Sequence, residues 1–381
     1  MPGRRDWGPG GGGLRIVDPT RAGGAVVMVL ETYFSPEHGE ILERIACPCC
    51  GSEDAAPYRI AHDRLFGRPG RHSVVRCRAC SLAYTNPRPT PESLGNHYPA
   101  DYFCYEPPEA LRGLKKLVLG GVIADLVRRR LGMLEAAIGR LLPGTRVCDV
   151  GCSYAELLGE IRAKRGSDVV GVDFNADMVA YGRKRGVPIV RGTLEDAAFE
   201  DASFDVVTMT EYLEHEGNPM RVLAECRRVV RPGGHLAIEV PLISTLTARL
   251  FGNFWSQLDL PRHLVFFTEE TLANALGAVG FEVVAVRKAK GSAAMSLLHL
   301  LGYERIGRMT ARDILFTILA TIPLLPFLPF LNEFLFVVAR RKEAPNELES
   351  VPPPALPAHV AERSNPAAAS SPSATSNPWA G

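Results

Sequence analysis

Two pairs of cysteines near the start of the chain have the residue type and spacing of metal ligands. Cys47 and Cys50 are separated by two residues, and so are Cys77 and Cys80. A turn with this spacing offers two thiolates to one ion, and two such turns complete the tetrahedron that Zn²⁺ prefers. Because four protein ligands leave no open coordination position, we expect a structural zinc site on a small ribbon. Two redox pairs, or core cysteines, are the alternatives.

A second candidate site begins at a short β-branched segment that ends in Asp149. The small-residue turn GCSYA follows at 151–155, and a helix is predicted from Glu156. A strand, such a turn and a helix direct backbone N–H groups at a nucleotide-like ligand. Asp173 ends the next predicted strand, 24 positions after Asp149. Dinucleotide folds place a carboxylate for ribose hydroxyls at about this distance along the chain.

Three further residues could perform acid–base chemistry. Glu214 and His215 come just after the fourth predicted strand, and open α/β sheets place their sites at the carboxyl ends of strands. Histidine titrates near neutrality, which suits a general base, so His215 is the first candidate and His263 the second. The alternative is that Glu214 caps a helix and both histidines are structural.

The elements that must position these residues alternate between strand and helix. The predicted parallel strands are residues 146–150, 168–172, 188–191, 204–209 and 235–240, the last after an RPGG turn at 231–234. A long helix over 114–142 precedes them, and segments 281–286 and 334–339 are expected to pair antiparallel. The sequence therefore predicts an α/β fold: a Rossmann-like doubly wound sheet with an antiparallel last strand, plus the N-terminal zinc ribbon.

Composition divides the 381 residues into four parts. We expect a disordered extension over 1–40, the ribbon over 41–100, the main domain over 101–342 with an apolar insertion at 291–331, and a disordered tail over 343–381. The net charge of +1 gives no general attraction to nucleic acid, so no such partner is expected. Paired rather than scattered cysteines and a poor signal-like segment at 25–30 favour the cytoplasm.

The segment 314–331 is apolar and carries no charge. Pro323, Pro326 and Pro329 would break a helix repeatedly, so a regular membrane span is not expected. Two interpretations remain, a buried or oligomer-forming insertion and a surface that contacts lipid at the inner face of the membrane. The basic residues Lys115, Lys116 and 128–130 of the preceding long helix favour the second.

The order and spacing of the motifs resemble those of class I S-adenosylmethionine-dependent methyltransferases. The motifs are VCDVGC at 147–152, GVDF at 171–174, FDVV at 204–207, LEH at 213–215 and RPGG at 231–234. The ribbon, NPRP at 86–89, HYP at 97–99, and Trp255, Asp259 and PRHL at 261–264 are similar to a bacterial branch with an N-terminal zinc module. The resemblance runs from about residue 45 to 342.

The resemblance implies a set of residues that bind S-adenosylmethionine: Asp149, Gly151, Ser153, Asp173, Phe174, Thr193, Leu194 and Thr210. Asp149 and Gly151 would flank the methionine moiety, and Asp173 would bind the ribose hydroxyls. The adenine would lie against Phe174 and the 193–194 turn, with the amino-acid end near Thr210. The family usually has glycine at 153 and 155, whereas this chain has Ser153 and Ala155, so its backbone can approach the cofactor less freely.

The expected function is methylation of a small molecule, for which a sugar, a glycan or a lipid-linked precursor is considered. One alternative is an NAD-dependent oxidoreductase, but the turn at 151–155 lacks the later glycines of its GxGxxG fingerprint. The other is a non-catalytic binding module that retains the fold. Oligomer formation belongs to the first interpretation of 314–331, the buried or oligomer-forming insertion.

Overall fold

The N-terminal region forms two small antiparallel sheets. The computed structural model describes residues 27–99, 112–291, 293–305, 310–322 and 331–343. Elements before residue 99 are β1 (Val29–Ser35), β2 (Glu40–Ile45), β3 (Ala55–His62), β4 (Arg71–Cys77), β5 (Ala83–Thr85), β6 (Arg88–Pro89) and the short helix α1 (Pro91–Leu94). One sheet has the order β1-β2-β6, and the antiparallel ribbon strands β3, β4 and β5 belong to the other.

The expectation of disorder over 1–40 is wrong for its last third. β1 pairs antiparallel with β2, from Val29 opposite Ile45 to Ser35 opposite Glu40. The reversal between them ends at Gly39, whose φ of 69° lies in the left-handed region that glycine adopts without steric cost. The hairpin therefore begins before the predicted ribbon boundary at 41. Residues 1–26 and 344–381, also predicted to be disordered, lie outside the described residues.

A seven-stranded sheet forms the larger part of the molecule. Its region comprises α2 (Gly113–Ile138), β7 (Arg146–Val150), α3 (Glu156–Arg165), β8 (Asp168–Asp173), α4 (Ala176–Lys184), β9 (Ile189–Arg191), β10 (Phe204–Thr210), α5 (Pro219–Val229), β11 (Val230–Pro241), α6 (Leu246–Phe251), β12 (Val265–Phe266), α7 (Glu269–Ala278), β13 (Phe281–Lys290), α8 (Ala293–Leu300), α9 (Ala311–Thr321) and β14 (Asn332–Arg341). The strand order is β13-β14-β11-β10-β7-β8-β9. The strands from β7 to β11 are parallel and β14 is antiparallel to both neighbours, which confirms the predicted sheet.

The RPGG motif does not precede the fifth parallel strand but lies within it. Val230 pairs with Phe204, whereas His235 pairs with Val206. Residues 231–234 therefore bulge out opposite the single residue Asp205, and β11 is longer than the predicted strand. Beyond the bulge, regular parallel pairing with β10 resumes at His235.

Both faces of the large sheet are covered, so its strands are apolar on both sides. Val206 and Val207 are adjacent on β10 yet belong to different buried clusters, one on each face. The same alternation separates Ala237 from Ile238 on β11. A strand that is buried on both faces reads as a continuous β-branched run, which is why the sequence revealed these strands clearly.

The ribbon shares its sheet with a strand from the region that carries the large sheet. β12 pairs antiparallel with β5, so the order of the ribbon sheet is β12-β5-β4-β3. Arg262, three residues before β12, forms an ion pair of 2.7 Å with Asp63, and both side chains are fully buried. The predicted boundary at residue 100 therefore does not separate two independently packed sheets.

The predicted apolar insertion contains α8 and α9, which pack against each other. No helix in the described part of the chain is long and apolar enough to cross a membrane. Ile314 is buried, but several apolar side chains of α9 and of its C-terminal end are exposed: Leu315, Phe316, Ile318, Leu319 and Ile322. The three prolines lie in 323–330, outside the described residues.

Candidate active site

A cleft of about 1920 Å³ opens at the carboxyl ends of the parallel strands. The cofactor residues implied by the resemblance line it with one exception: Asp149, Gly151, Ser153, Asp173, Phe174, Thr193 and Thr210. Leu194 is the exception, because its side chain is 1% exposed and packs into the core below. At residue 194 the Thr193–Leu194 turn can therefore border the cofactor only through its backbone, and its contact with the adenine stays a prediction.

The turn after β7 keeps a tight shape without its expected glycines. The N–H groups of Gly151 and Cys152 both donate to the Val172 carbonyl, at 2.9 and 3.1 Å. Ser153 and Ala155 have φ angles of 50° and 57°, the left-handed region that glycine adopts more easily. Gly151 cannot be replaced, since a Cβ there would lie 2.3 Å from the Tyr212 ring.

Asp173 lies at the centre of the cofactor side of the cleft. Its two carboxylate oxygens accept hydrogen bonds of 2.9 Å from the backbone N–H groups of Ser153 and Asn175. Burial is the main influence on this group and raises the pKa of the Asp173 carboxyl. The neighbouring Phe174 is 63% exposed, so one aromatic face borders the cleft beside the carboxylate.

Asp149 is more deeply buried. The Thr208 hydroxyl donates to Asp149 Oδ1 at 2.6 Å. Burial raises the pKa of the Asp149 carboxyl to about 7, although Thr208 and the charge of Arg130 oppose the rise. A cationic ligand beside this carboxyl would favour its ionised form.

Sequence reasoning missed an ion-pair network on the same side of the cleft. Arg130 of α2 donates from Nε to Glu239 Oε1 at 2.8 Å and also contacts the Glu211 carboxylate. Arg130 and Glu211 also line the cleft, whereas Glu239 lies behind them near the end of β11. The sequence places Arg130 in a basic surface of the long helix, but its side chain is only 15% exposed. Nothing in the sequence distinguishes Arg130 from Arg128 and Arg129.

The predicted acid–base residues are brought together at the other side. The His215 and His263 rings contact edge to face, with centroids 4.6 Å apart. Burial lowers the pKa of His215 to about 3 and also lowers the pKa of His263. Glu214 is 2% exposed, and burial raises the pKa of its carboxyl well above the usual range. Both rings are therefore neutral at neutral pH.

The N-terminal region supplies one more residue to this group. Tyr98 Oη lies 3.0 Å from His215 Nδ1, and Tyr98 also lines the cleft. Tyr98 lies within the HYP motif, which the sequence associates with the ribbon rather than with the Glu214–His215–His263 side of the cleft. The region that carries the ribbon therefore completes the wall of the site.

The four paired cysteines converge as predicted. The Sγ atoms of Cys47 and Cys80 are 3.5 Å apart, and those of Cys50 and Cys77 are 3.6 Å apart. The four Sγ atoms all lie within 4.8 Å of one another. A tetrahedron with Zn–S bonds of about 2.3 Å has edges of about 3.8 Å, so the thiol positions fit zinc.

The two cysteine turns have the same backbone hydrogen bonds. The Cys47 N–H donates to the Ser52 carbonyl and the Gly51 N–H donates to the Cys47 carbonyl, each at 2.9 Å. In the second turn the Cys77 N–H donates to the Leu82 carbonyl at 2.9 Å, and the Ser81 N–H donates to the Cys77 carbonyl at 3.0 Å. This repetition holds the two thiol pairs facing each other.

Comparison with known proteins agrees with this geometry. The family described as "Methyltransferase domain" matches residues 121–286. The chain is 33% identical over 172 residues to a demethylmenaquinone methyltransferase of Corynebacterium kroppenstedtii, covering 39% of this chain and 73% of that protein. The chain belongs to the class I S-adenosylmethionine-dependent methyltransferases.

Other methyltransferases match over shorter lengths or at lower identity. A ubiquinone biosynthesis O-methyltransferase of Hahella chejuensis is 44% identical over 102 residues, 25% of this chain and 42% of that protein. The chain thus spans less than half the length of several curated relatives that it matches. A phosphoethanolamine N-methyltransferase structure from Haemonchus contortus has 17% identity and a TM-score of 0.46, covering 68% of this chain and 63% of that one.

Proposed function

We propose that the protein transfers the methyl group of S-adenosylmethionine to a hydroxyl group of a small molecule. The observation that carries the proposal is that one cleft contains both the Asp149–Asp173 side and the Glu214–His215–His263 group. The first side has the features of a nucleoside site, and the second has polar groups suited to an acceptor. The relatives named for ubiquinone biosynthesis and demethylmenaquinone support a small-molecule acceptor.

The cofactor would lie along the turn after β7. Asp173 would accept hydrogen bonds from the ribose hydroxyls, since each carboxylate oxygen can accept more than its one backbone bond. Phe174 would contact the adenine, and Asp149 would face the methionine moiety near its positive charge. The zwitterionic amino-acid end of the cofactor fits the Arg130–Glu211 pair. The Arg130 guanidinium would face the cofactor carboxylate, and the Glu211 carboxylate would face the cofactor ammonium group.

Methyl transfer is an in-line displacement for which the protein mainly supplies position. An acceptor oxygen attacks the methyl carbon, the carbon–sulfur bond breaks, and its electron pair remains on sulfur, which becomes a neutral thioether. The acceptor hydroxyl must lose its proton, and a neutral imidazole of His215 or His263 would accept it. The neutral imidazoles carry the lone pairs that this step requires.

The acceptor is proposed to carry an apolar portion. The cleft continues from His263 to a wall of Met295, Ile314, Ile318 and Phe334. A lipid-linked precursor fits this wall better than a sugar or a glycan, because free sugars offer little apolar surface to bury. The exposed side chains of α9 would then contact the membrane from which such a substrate is taken.

Membrane contact can be tested directly. Flotation of the full chain with anionic liposomes at low salt is expected to carry the protein upward. Leu315→Glu with Leu319→Glu should abolish flotation, whereas glutamates at two exposed apolar positions away from α9, Phe34 and Leu142, should reduce it little. Wild-type protein that remains in the soluble fraction would contradict lipid contact. Arg128 and Arg129 pair with Asp125, so the basic contribution of α2 is small.

The cysteine group is proposed to hold one structural zinc ion. The thiol separations and the repeated turns support it. Four thiolates close the coordination sphere, so the ion would supply folding free energy to the ribbon and take no part in methyl transfer.

Calorimetric titration tests the proposed class of activity. We expect S-adenosylmethionine to bind with a dissociation constant in the micromolar range, and NAD to bind far more weakly. Preferential binding of the nicotinamide cofactor would overturn the proposal. Binding of S-adenosylmethionine without release of S-adenosylhomocysteine, in the presence of mixed phenolic, lipid and sugar acceptors, would instead favour a non-catalytic module.

A further inference from the structure

Three residues with metal-ligating side chains form a compact group on the acceptor side of the cleft. Glu214, His215 and His263 each offer one donor atom, and these atoms lie within 4.8 Å of one another. Two imidazoles and one carboxylate are the protein ligands of many catalytic zinc and non-haem iron sites. The group lies on two loops, one after β10 and one before β12, that the hydrogen bond from Leu264 N–H to the Glu214 carbonyl holds together at 2.7 Å.

A backbone carbonyl lies beside Nδ1 of each imidazole, an arrangement that suits metal binding through Nε2. His263 Nδ1 lies 2.9 Å from the Gln257 carbonyl, which only accepts, so Nδ1 carries the hydrogen and Nε2 keeps its lone pair. His215 Nδ1 lies 3.1 Å from the Arg262 carbonyl and 3.0 Å from Tyr98 Oη, and its Nε2 is free for a metal when the Nδ1 hydrogen is donated to that carbonyl. Metal-bound histidines commonly donate their second N–H in this way, which orients the ring.

The third residue has an unused donor atom in the same place. The Glu214 side chain is buried, 2% exposed, and its Oε2 has no hydrogen-bond partner within the described part of the chain. A buried carboxyl oxygen without a partner costs free energy that a bound cation would recover. This observation is independent of the histidine geometry and concerns the same small volume.

We infer that Glu214, His215 and His263 bind one divalent first-row transition-metal ion. Three protein ligands leave open positions, as in catalytic rather than structural sites. Its role rests on the proposed function: the acceptor oxygen would take an open position, and a cation there makes a hydroxyl more acidic. With the ion bound, the acceptor proton would pass to water, and His215 and His263 would act as ligands instead of the bases that they supply to the metal-free site.

Cobalt is a suitable probe, since Co²⁺ accepts imidazole and carboxylate ligands and has visible absorption bands. Full-length protein with its ribbon loaded with zinc would be titrated with Co²⁺. We expect one site per chain, with no thiolate-to-cobalt charge-transfer absorption because this site contains no sulfur. His263→Ala and Glu214→Gln should each weaken Co²⁺ binding by more than the roughly 10- to 100-fold that loss of an outer-shell partner costs.

His235→Ala is the matched control, because this imidazole lies on β11 at its bulge rather than on the acceptor loops. It should bind Co²⁺ like the wild type. Retained zinc content and S-adenosylmethionine binding would show that a variant is folded. Wild-type protein without a sulfur-free Co²⁺ site, or equal Co²⁺ affinity in all variants, overturns the inference. Failure of S-adenosylmethionine to bind the wild type would instead refute the proposed function, while the Co²⁺ titration would still test the metal site.

Discussion

Trp255 Nε1 donates a hydrogen bond of 3.1 Å to Glu333 Oε1, at a position where both side chains are excluded from solvent. Trp255 lines the cleft, and Glu333 lies at the start of β14. The bond therefore connects one wall of the cleft to the sheet through a buried carboxyl. Burial raises the pKa of Glu333 from its ordinary 4.5 to about 7.

This carboxyl should make stability depend on pH. Between pH 4.5 and 7 the folded chain keeps the Glu333 proton that the unfolded chain has lost, so stability falls as pH rises through this window. Glu333→Gln keeps the Trp255 bond and removes the titration. Its free energy of unfolding should match the wild type near pH 4.5 and exceed it by about 3 kcal/mol at pH 8. Denaturant titrations measure this difference, and parallel pH profiles would refute it.

Zinc binding should depend on the paired cysteines alone. Elemental analysis of purified protein is expected to find about one zinc per chain. Cys47→Ser and Cys80→Ser should each lose it, because three ligands do not close the tetrahedron. Cys49→Ser is the matched control, since Cys49 lies in the same turn but outside the two-residue spacing, and it should keep the ion. Zinc unchanged in all three variants would place the ligands elsewhere.

Arg130 should distinguish S-adenosylmethionine from its decarboxylated analogue. Arg130→Ala removes the proposed partner of the cofactor carboxylate, at a cost of about 1.5–3 kcal/mol for a charged hydrogen bond. The variant is expected to bind the intact cofactor more weakly while its affinity for the decarboxylated form hardly changes. Arg128→Ala, on the exposed side of the same helix, should affect neither. An equal loss for both ligands would indicate that Arg130 acts only through the fold.

Most of the large sheet could be predicted because its parallel strands are mainly β-branched or apolar runs, several with a polar residue at or near the carboxyl end. Asp149 and Asp173 mark the carboxyl ends of β7 and β8, and the structure brings both into one cleft. The same regularity located Glu214 and His215 after β10. These signals are local in sequence, since a short segment of chain determines both the strand and its end.

Features that depend on distant contacts could not be predicted. Arg130 resembles its neighbours Arg128 and Arg129 in sequence, and only the approach of Glu211 and of Glu239 from β11 encloses its guanidinium. Leu194 is adjacent to Thr193, but the turn directs its side chain into the core. Glu333 follows an apolar segment and would be taken for a charged boundary, whereas tertiary packing encloses it completely.

The central claim is that the cleft binds S-adenosylmethionine through the ribose contact of Asp173, and calorimetry of Asp173→Ala tests it most directly. We predict weaker binding by about 1–3 kcal/mol, roughly 5- to 150-fold, because charge-assisted bonds to the ribose are lost. Asp177→Ala is the control, since this acid on α4 is exposed and should leave affinity unchanged. Asp173→Asn keeps an acceptor for the backbone bonds, so its affinity for S-adenosylmethionine should lie between those of the wild type and Asp173→Ala. Wild-type affinity for S-adenosylmethionine in both Asp173 variants would contradict the account.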